Sequence, residues 1–135
     1  MNLTLERILL VFVLSAAVGA GAEPKDRWVS VEGGSWVPSA ETIAKIQEQI
    51  ESFVRTQAKI EGREIQEWKS YTFQYQGQEE HTKKFVFVNA FCVSNSTQQP
   101  SKQMVLVLDG GTCFFNVKYD PKNNQFFELL INGEA

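Results

Sequence analysis

Histidine occurs once in the 135 residues and cysteine only twice, and these scarcities remove much of the chemistry open to a small protein. There is no Cys-x-x-Cys pair and no Cys/His cluster, so dithiol redox catalysis and a zinc site have no basis. No Gly-x-Ser-x-Gly elbow is present, and a Ser/His/Asp relay would have to use His81, which sits in the charged turn Glu79, Glu80, His81, Thr82, Lys83. The carboxylate pairs Glu79/Glu80 and Asp109/Asp120 fall at turn positions that favour such residues for backbone reasons. Excess positive charge is missing too. The 13 Lys and Arg face 16 Asp and Glu, a net charge of −3 that argues against a nucleic-acid partner. The sequence therefore predicts a protein that is not an enzyme and carries no metal or cofactor. With 43% apolar and 12% aromatic residues it has ordinary globular composition.

Long apolar runs are confined to the start. Arg7 precedes the run from Ile8 to Leu14, extended by Ala16, Ala17 and Val18, and Ala20, Gly21, Ala22 follow as a small-x-small cleavage pattern. This reads as an export signal cut after Ala22. The unbroken apolar stretch is about half of the roughly 20 residues that a spanning helix needs, so no membrane anchor is expected after cleavage. Residues 1–22 are thus read as a signal peptide and residues 23–135 as a single domain, periplasmic or secreted. Removing 22 of 135 residues leaves 113, enough for one small core. An exported chain with two cysteines favours a Cys92–Cys113 disulfide.

Two periods divide the mature chain. Ser39 followed by Glu41 is a helix start, and Ile43, Ile46, Ile50, Phe53, Val54, Gln57 and Ala58 form one stripe of a helix of five or six turns that Gly62 stops. Trp28 to Val31 reads as a short strand before it. From residue 66 the period becomes two. Strands are predicted at Tyr71 to Tyr75, Lys83 to Cys92, Met104 to Leu108, Cys113 to Tyr119 and Phe126 to Ile131, with Gly77 turning the chain between the first two. The expected fold is α+β: one long N-terminal helix packed on a curved antiparallel sheet of four to five strands.

A strand at Met104 to Leu108 creates a conflict, because a plain meander would then hold the two sulfurs on the order of 20 Å apart. Three solutions remain open: a bulged long strand at Asp109, Gly110, Gly111, a non-sequential strand order, or reduced cysteines. Asn95, Ser96, Thr97 is a glycosylation triplet that has meaning only in a eukaryotic secretory pathway.

Apolar surface is in excess. Both alternating faces of Phe85 to Cys92 are apolar, and Phe114, Phe115 and Phe126, Phe127 repeat the pattern. One helix covers one face of a sheet, which leaves Phe85, Phe87, Phe91 and Phe114 as a second apolar face. Sheet curvature with the segment around Trp28 and Trp36, a second copy or protein partner, or an apolar ligand would have to cover it. Tyr71, Phe73 and Tyr75 are assigned to the core.

A helix cupped by such a sheet resembles the cystatin-like roll, shared with the nuclear-transport-factor-2-like group, over roughly residues 27–132. In inhibitory cystatins a Gln-x-Val-x-Gly turn enters the protease cleft. Here Gln74, Tyr75, Gln76, Gly77 begins in a similar way, without the Val and with Gly one position early, and no Pro-Trp pair follows. The resemblance implies either a binding or assembly module, as in many small exported bacterial proteins, or a hydrolase inhibitor acting through residues 74–78. The module reading fits the unpaired apolar face better. If the signal reading holds, intact-mass analysis of the exported protein finds a chain beginning at Glu23; retention of residues 1–22 would contradict it.

Overall fold

The computed structural model describes residues 27–92 and 99–134, so the segment expected to be an export signal and the triplet at Asn95 lie outside the described residues. In chain order the elements are β1 (Trp28–Ser30), α1 (Ala40–Ile60), β2 (Thr72–Glu80), β3 (Lys83–Phe91), β4 (Phe114–Asp120) and β5 (Gln125–Ile131). They form an α+β fold with one five-stranded sheet in the order β1-β2-β3-β4-β5. The sheet is mixed. Strand β1 runs parallel to β2 and the other four form an antiparallel meander. Parallel neighbours need a crossover, and α1 is that crossover.

Local chemistry sets both ends of α1. The Ser39 side chain accepts from Thr42 N at 3.1 Å, which satisfies one of the orphan amides of the first turn. At the other end Gly62 takes φ +69°, its N–H reaches Lys59 O, and Arg63 N reaches Ala58 O at 2.8 Å. This pair of bonds is a Schellman stop. The stop aims the Arg63 guanidinium at Ile131 O, 3.1 Å, and Asn132 O, 2.5 Å, which ties the helix to the last strand. Ile43, Ile46, Ile50, Val54 and Ala58 are the buried stripe.

Register explains the double-sided strands. Phe73↔Ala90, Tyr75↔Val88 and Gly77↔Val86 share the helix-facing side, which β4 continues with Phe115, Val117 and Tyr119. Trp28 stacks on Phe73 with centroids 4.4 Å apart, and Trp68, Tyr71 and Phe115 close the cluster. Glu128, at φ +49°, lies at a bulge where the β4–β5 register shifts. Without that extra residue, strict alternation from Phe126 would turn Glu128 inward and Ile131 outward. The bulge instead packs Leu129 and Ile131 against the core and leaves Leu130 on the opposite face.

Three expectations need correction. The first hairpin turns at His81 and Thr82, both at positive φ, rather than at Gly77. Two consecutive left-handed residues give the twist that a two-residue hairpin needs, but without Asn-Gly the signal is hidden. Gly77 lies inside β2 because Trp36 bridges to it, and a Cβ there would overlap the Trp36 carbonyl oxygen. Second, Met104 to Leu108 is not a strand of the sheet, so β3 and β4 are direct neighbours. Third, that adjacency removes the disulfide conflict. Phe91 pairs with Phe114, the next position out brings Cys92 N to Cys113 O at 3.0 Å, and the two cysteines are disulfide-bonded with Cα atoms 5.0 Å apart. Closing a loop of this length stabilises by about 3 kcal/mol in the chain-entropy model.

Asp120, at the end of β4, organises the last turn. Burial pushes its carboxyl up, but bonds from the Asn123 side chain and backbone and from Lys122 N, with Lys83 at 3.5 Å, outweigh this and hold its pKa below the usual value. The stability it adds is therefore complete above the ordinary carboxyl pKa of about 3.9 and disappears as pH falls through the depressed folded value. Asp120→Asn is expected to lower the melting midpoint at pH 7 by about 5 °C, with the gap to the parent closing below pH ~4 in parallel melts.

Candidate functional site

The second sheet face is crossed by an irregular strap, residues 99–110, that leaves the neck closed by Cys92–Cys113. Side-chain amides hold it, not a strand ladder. Gln74 is fully buried, 0% exposed; its Nε2 donates to Pro100 O and Gln103 O, both at 2.8 Å, and its Oε1 accepts from Val105 N at 2.8 Å and Asn89 Nδ2 at 3.0 Å. Both donors and both lone pairs of that amide are used. Asn89 Nδ2 also reaches Val105 O at 2.8 Å. Over β5, Asn132 Nδ2 donates to Val107 O at 2.5 Å and to Asp109 O at 2.8 Å. Gln74 and Asn89 are directly opposed in the β2–β3 register, so the strap runs across the strands from β2 toward β5.

The strap turns its own side chains by alternation. Val105 points in and is buried, while Leu106 is 66% exposed and Leu108 fully exposed at 101%. Leu130, placed outward by the bulge and two residues before Asn132, is 60% exposed. Leu106 and Leu108, with Val107 between them, make an apolar crest on a segment fixed by a disulfide and three amides, and β5 adds Leu130 as a further exposed leucine.

The aromatic residues expected to form the binding face are placed mainly beneath cover. Phe85 and Phe91 are buried, Phe87 and Phe114 half-buried. Gly110, at φ +92°, lies so close over Phe114 that an added Cβ would come within 2.5 Å of the ring. At the hairpin end Phe85 meets Phe127 edge-on at 6.1 Å; Lys118 Nζ lies 5.0 Å from the Phe85 centroid and Lys83 Nζ 4.8 Å from that of Phe127. Lys118 is itself paired with Glu128 at 2.5 Å and Glu80 at 3.8 Å. Cationic heads over aromatic rings hide apolar area while keeping charge in water. Leu106, Leu108 and Leu130 were not singled out from the sequence. The apolar run 104–108 reads the same in a strand and in a strap.

Gln74, Tyr75, Gln76 and Gly77 form no turn. They lie within β2, with Gln74 and Gly77 buried, so this segment projects nothing toward a protease cleft. His81 is 94% exposed and lies 4.0 Å from Glu80. Asp109 precedes β4 and Asp120 is its last residue, so the two carboxylates stand at opposite ends of the strand. Tyr71 and Tyr119 have hydroxyl pKa values pushed up by burial; the first donates to Thr112 O and accepts from Gln66 N, the second bonds Asn124 Oδ1. Both rings serve packing. Among the described residues no group of three or more His, Cys, Asp or Glu is placed to hold a metal ion, and no helix is long and apolar enough to cross a membrane.

Gln74→Leu keeps volume but strands Val105 N–H and the carbonyls of Pro100 and Gln103. It is expected to destabilise by about 2–4 kcal/mol and to release the Val105 amide to rapid hydrogen exchange while β3 amides stay protected. Retained protection at Val105 would show that the amide does not hold the strap. Comparison with protein-family models, with curated proteins and with solved structures returns no match to this chain.

Proposed function

We propose that this protein is a non-enzymatic exported binding module that presents the crest of Leu106 and Leu108 to an apolar hollow on a different protein. The observation carrying this reading is the cost of the presentation. A disulfide and three side-chain amides fix an irregular segment, and its outermost residue is a fully exposed leucine. Packing alone does not require an outward leucine there, and exposed aliphatic residues on a rigid support are the usual form of an interaction anchor. Leucines that project from a fixed segment suit a hollow on another protein.

Other routes to binding have less support. Sheet extension at β5 is opposed by the bulge at Glu128 and by Arg63 on the carbonyls of Ile131 and Asn132, and β1 is a three-residue edge. An inhibitor reading would need residues 74–78 to protrude. The helix, crossover and antiparallel meander support the likeness to a cystatin-like roll as an architecture, and fold does not carry activity. The disulfide fits an oxidising compartment.

A photo-crosslinking phenylalanine placed at Leu108 in the native cells is expected to yield one discrete adduct with another protein, and the same group at Lys45 on the outer face of α1 none. Leu106→Asp with Leu108→Asp should abolish it without changing the melting midpoint by more than about 2 °C, because neither side chain is buried. No adduct at Leu108, or an adduct of two copies of this chain, would overturn the proposal.

A further inference from the structure

One asparagine of the chain is followed by glycine, Asn132 by Gly133, and the fold puts this pair at the far anchor of the strap. Asn132 is 7% exposed and bonded on every side. Its N–H donates to Phe114 O at 3.0 Å, its carbonyl accepts from Arg63 Nη2, and its Nδ2 donates to Val107 O and Asp109 O. Gly133 is exposed, its carbonyl accepts from Gly111 N at 3.0 Å, and a Cβ built on it would meet open space. The second half of the strap hangs on this corner. Residues 106–110 are all exposed, and among the described residues the hydrogen bonds that tie Val107 and Asp109 to the sheet are the two from Asn132.

An asparagine before glycine carries its own nucleophile. Glycine has no side chain to crowd the approach, so Gly133 N, on losing its proton, bonds Asn132 Cγ while the Cγ–Nδ2 bond breaks and the nitrogen leaves as ammonia. Water then opens the cyclic imide at either carbonyl and leaves aspartate or isoaspartate at position 132. Water is the only co-reactant. In the closed fold the reaction is held off, because Nδ2 is fixed on two strap carbonyls and Gly133 is fixed through Gly111. Lifting residues 106–110 breaks those few bonds and uncovers no buried side chain of that segment, so it is a low-cost local opening. The reaction makes the opening permanent. A carboxylate has no donor for Val107 O and Asp109 O, and a charge set against two carbonyl oxygens costs more than it returns. We infer that Asn132 with Gly133 is a self-modification site gated by the strap, deamidating when the strap lifts and thereby releasing the crest segment irreversibly. The gate needs only the strap's anchors, whether or not the crest has a partner.

The test incubates the intact, disulfide-bonded protein at mildly alkaline pH and follows its tryptic peptide 123–135 by mass spectrometry. Asn123 and Asn124 in that peptide are internal references, because Asn and Gln follow them. Conversion of amide to acid is expected at Asn132 ahead of both. Val105→Ala trims the buried side chain that seats the strap and is expected to speed conversion about fivefold in a chain that circular dichroism shows still folded. Gly133→Ala has room for its methyl and should bring conversion down to the Asn123 level. Asn132→Asp makes one product directly, and chymotrypsin should cut it after Leu106 or Leu108 about tenfold faster than the parent, as the loss of two hydrogen bonds requires. Conversion at Asn132 no faster than at Asn123, equal rates in the parent and Val105→Ala, or unchanged cleavage in Asn132→Asp would overturn the inference.

Discussion

The amide of Gln74 has two donors and two lone pairs, no access to water, and a partner at each position: two carbonyls and a backbone amide of the strap, and the side chain of Asn89. An amide buried this deeply is tolerated because the network around it is complete. Much else follows from it. The strap lies where Gln74 and Asn89 hold it, and so covers the face of the sheet that the helix cannot reach. Because the strap is outside the ladder, β3 and β4 are neighbours, and Cys92 and Cys113 meet at the open end of that pair.

The molecule therefore solves the two-faced sheet in two different ways. Against the helix side it uses shape, with isoleucines of α1 on the aromatic cluster of Trp28, Trp68, Tyr71, Phe73 and Phe115. On the other side it uses polar chemistry: amides under the strap and lysine heads over Phe85 and Phe127. The first kind of cover buries its apolar groups on both partners. The second covers the sheet and exports a smaller apolar surface on the strap's own outer side. That contrast between covered Phe85 and Phe91 and exposed Leu106 and Leu108 is the physical basis of the proposal that the crest binds a partner.

Bulge and caps work to the same end. Glu128 resets the register of β5 so that Ile131 enters the core and Leu130 stays out. Arg63, delivered by the Gly62 stop, occupies carbonyls at the end of that strand. An edge treated in this way is poorly suited to pairing with another strand, which turns recognition toward side-chain surfaces.

What the sequence determined by itself was local or periodic. Ser39 and Gly62 mark the limits of the helix because capping chemistry acts within a turn, and the Ile43 to Ala58 stripe shows its buried face because the period is 3.6. Strand β4 is legible from the alternation of Phe115, Val117 and Tyr119 with Asn116 and Lys118, β3 and β5 from apolar runs bounded by turn residues, and the two-sided apolar character of Phe85 to Cys92 states that both faces need cover. Only the tertiary structure decided what supplies it. Five consecutive apolar residues, Met104 to Leu108, read the same whether their backbone bonds go to a neighbouring strand or to the side chains of Gln74, Asn89 and Asn132, which lie 15 or more positions away. For the same reason Gly77 reads as a turn although it answers to Trp36, and the left-handed pair His81 and Thr82 carries no glycine to announce the hairpin. The candidate site follows that division. Its leucines are plain in the sequence, but their exposure depends on hydrogen bonds between distant residues, which no local pattern encodes.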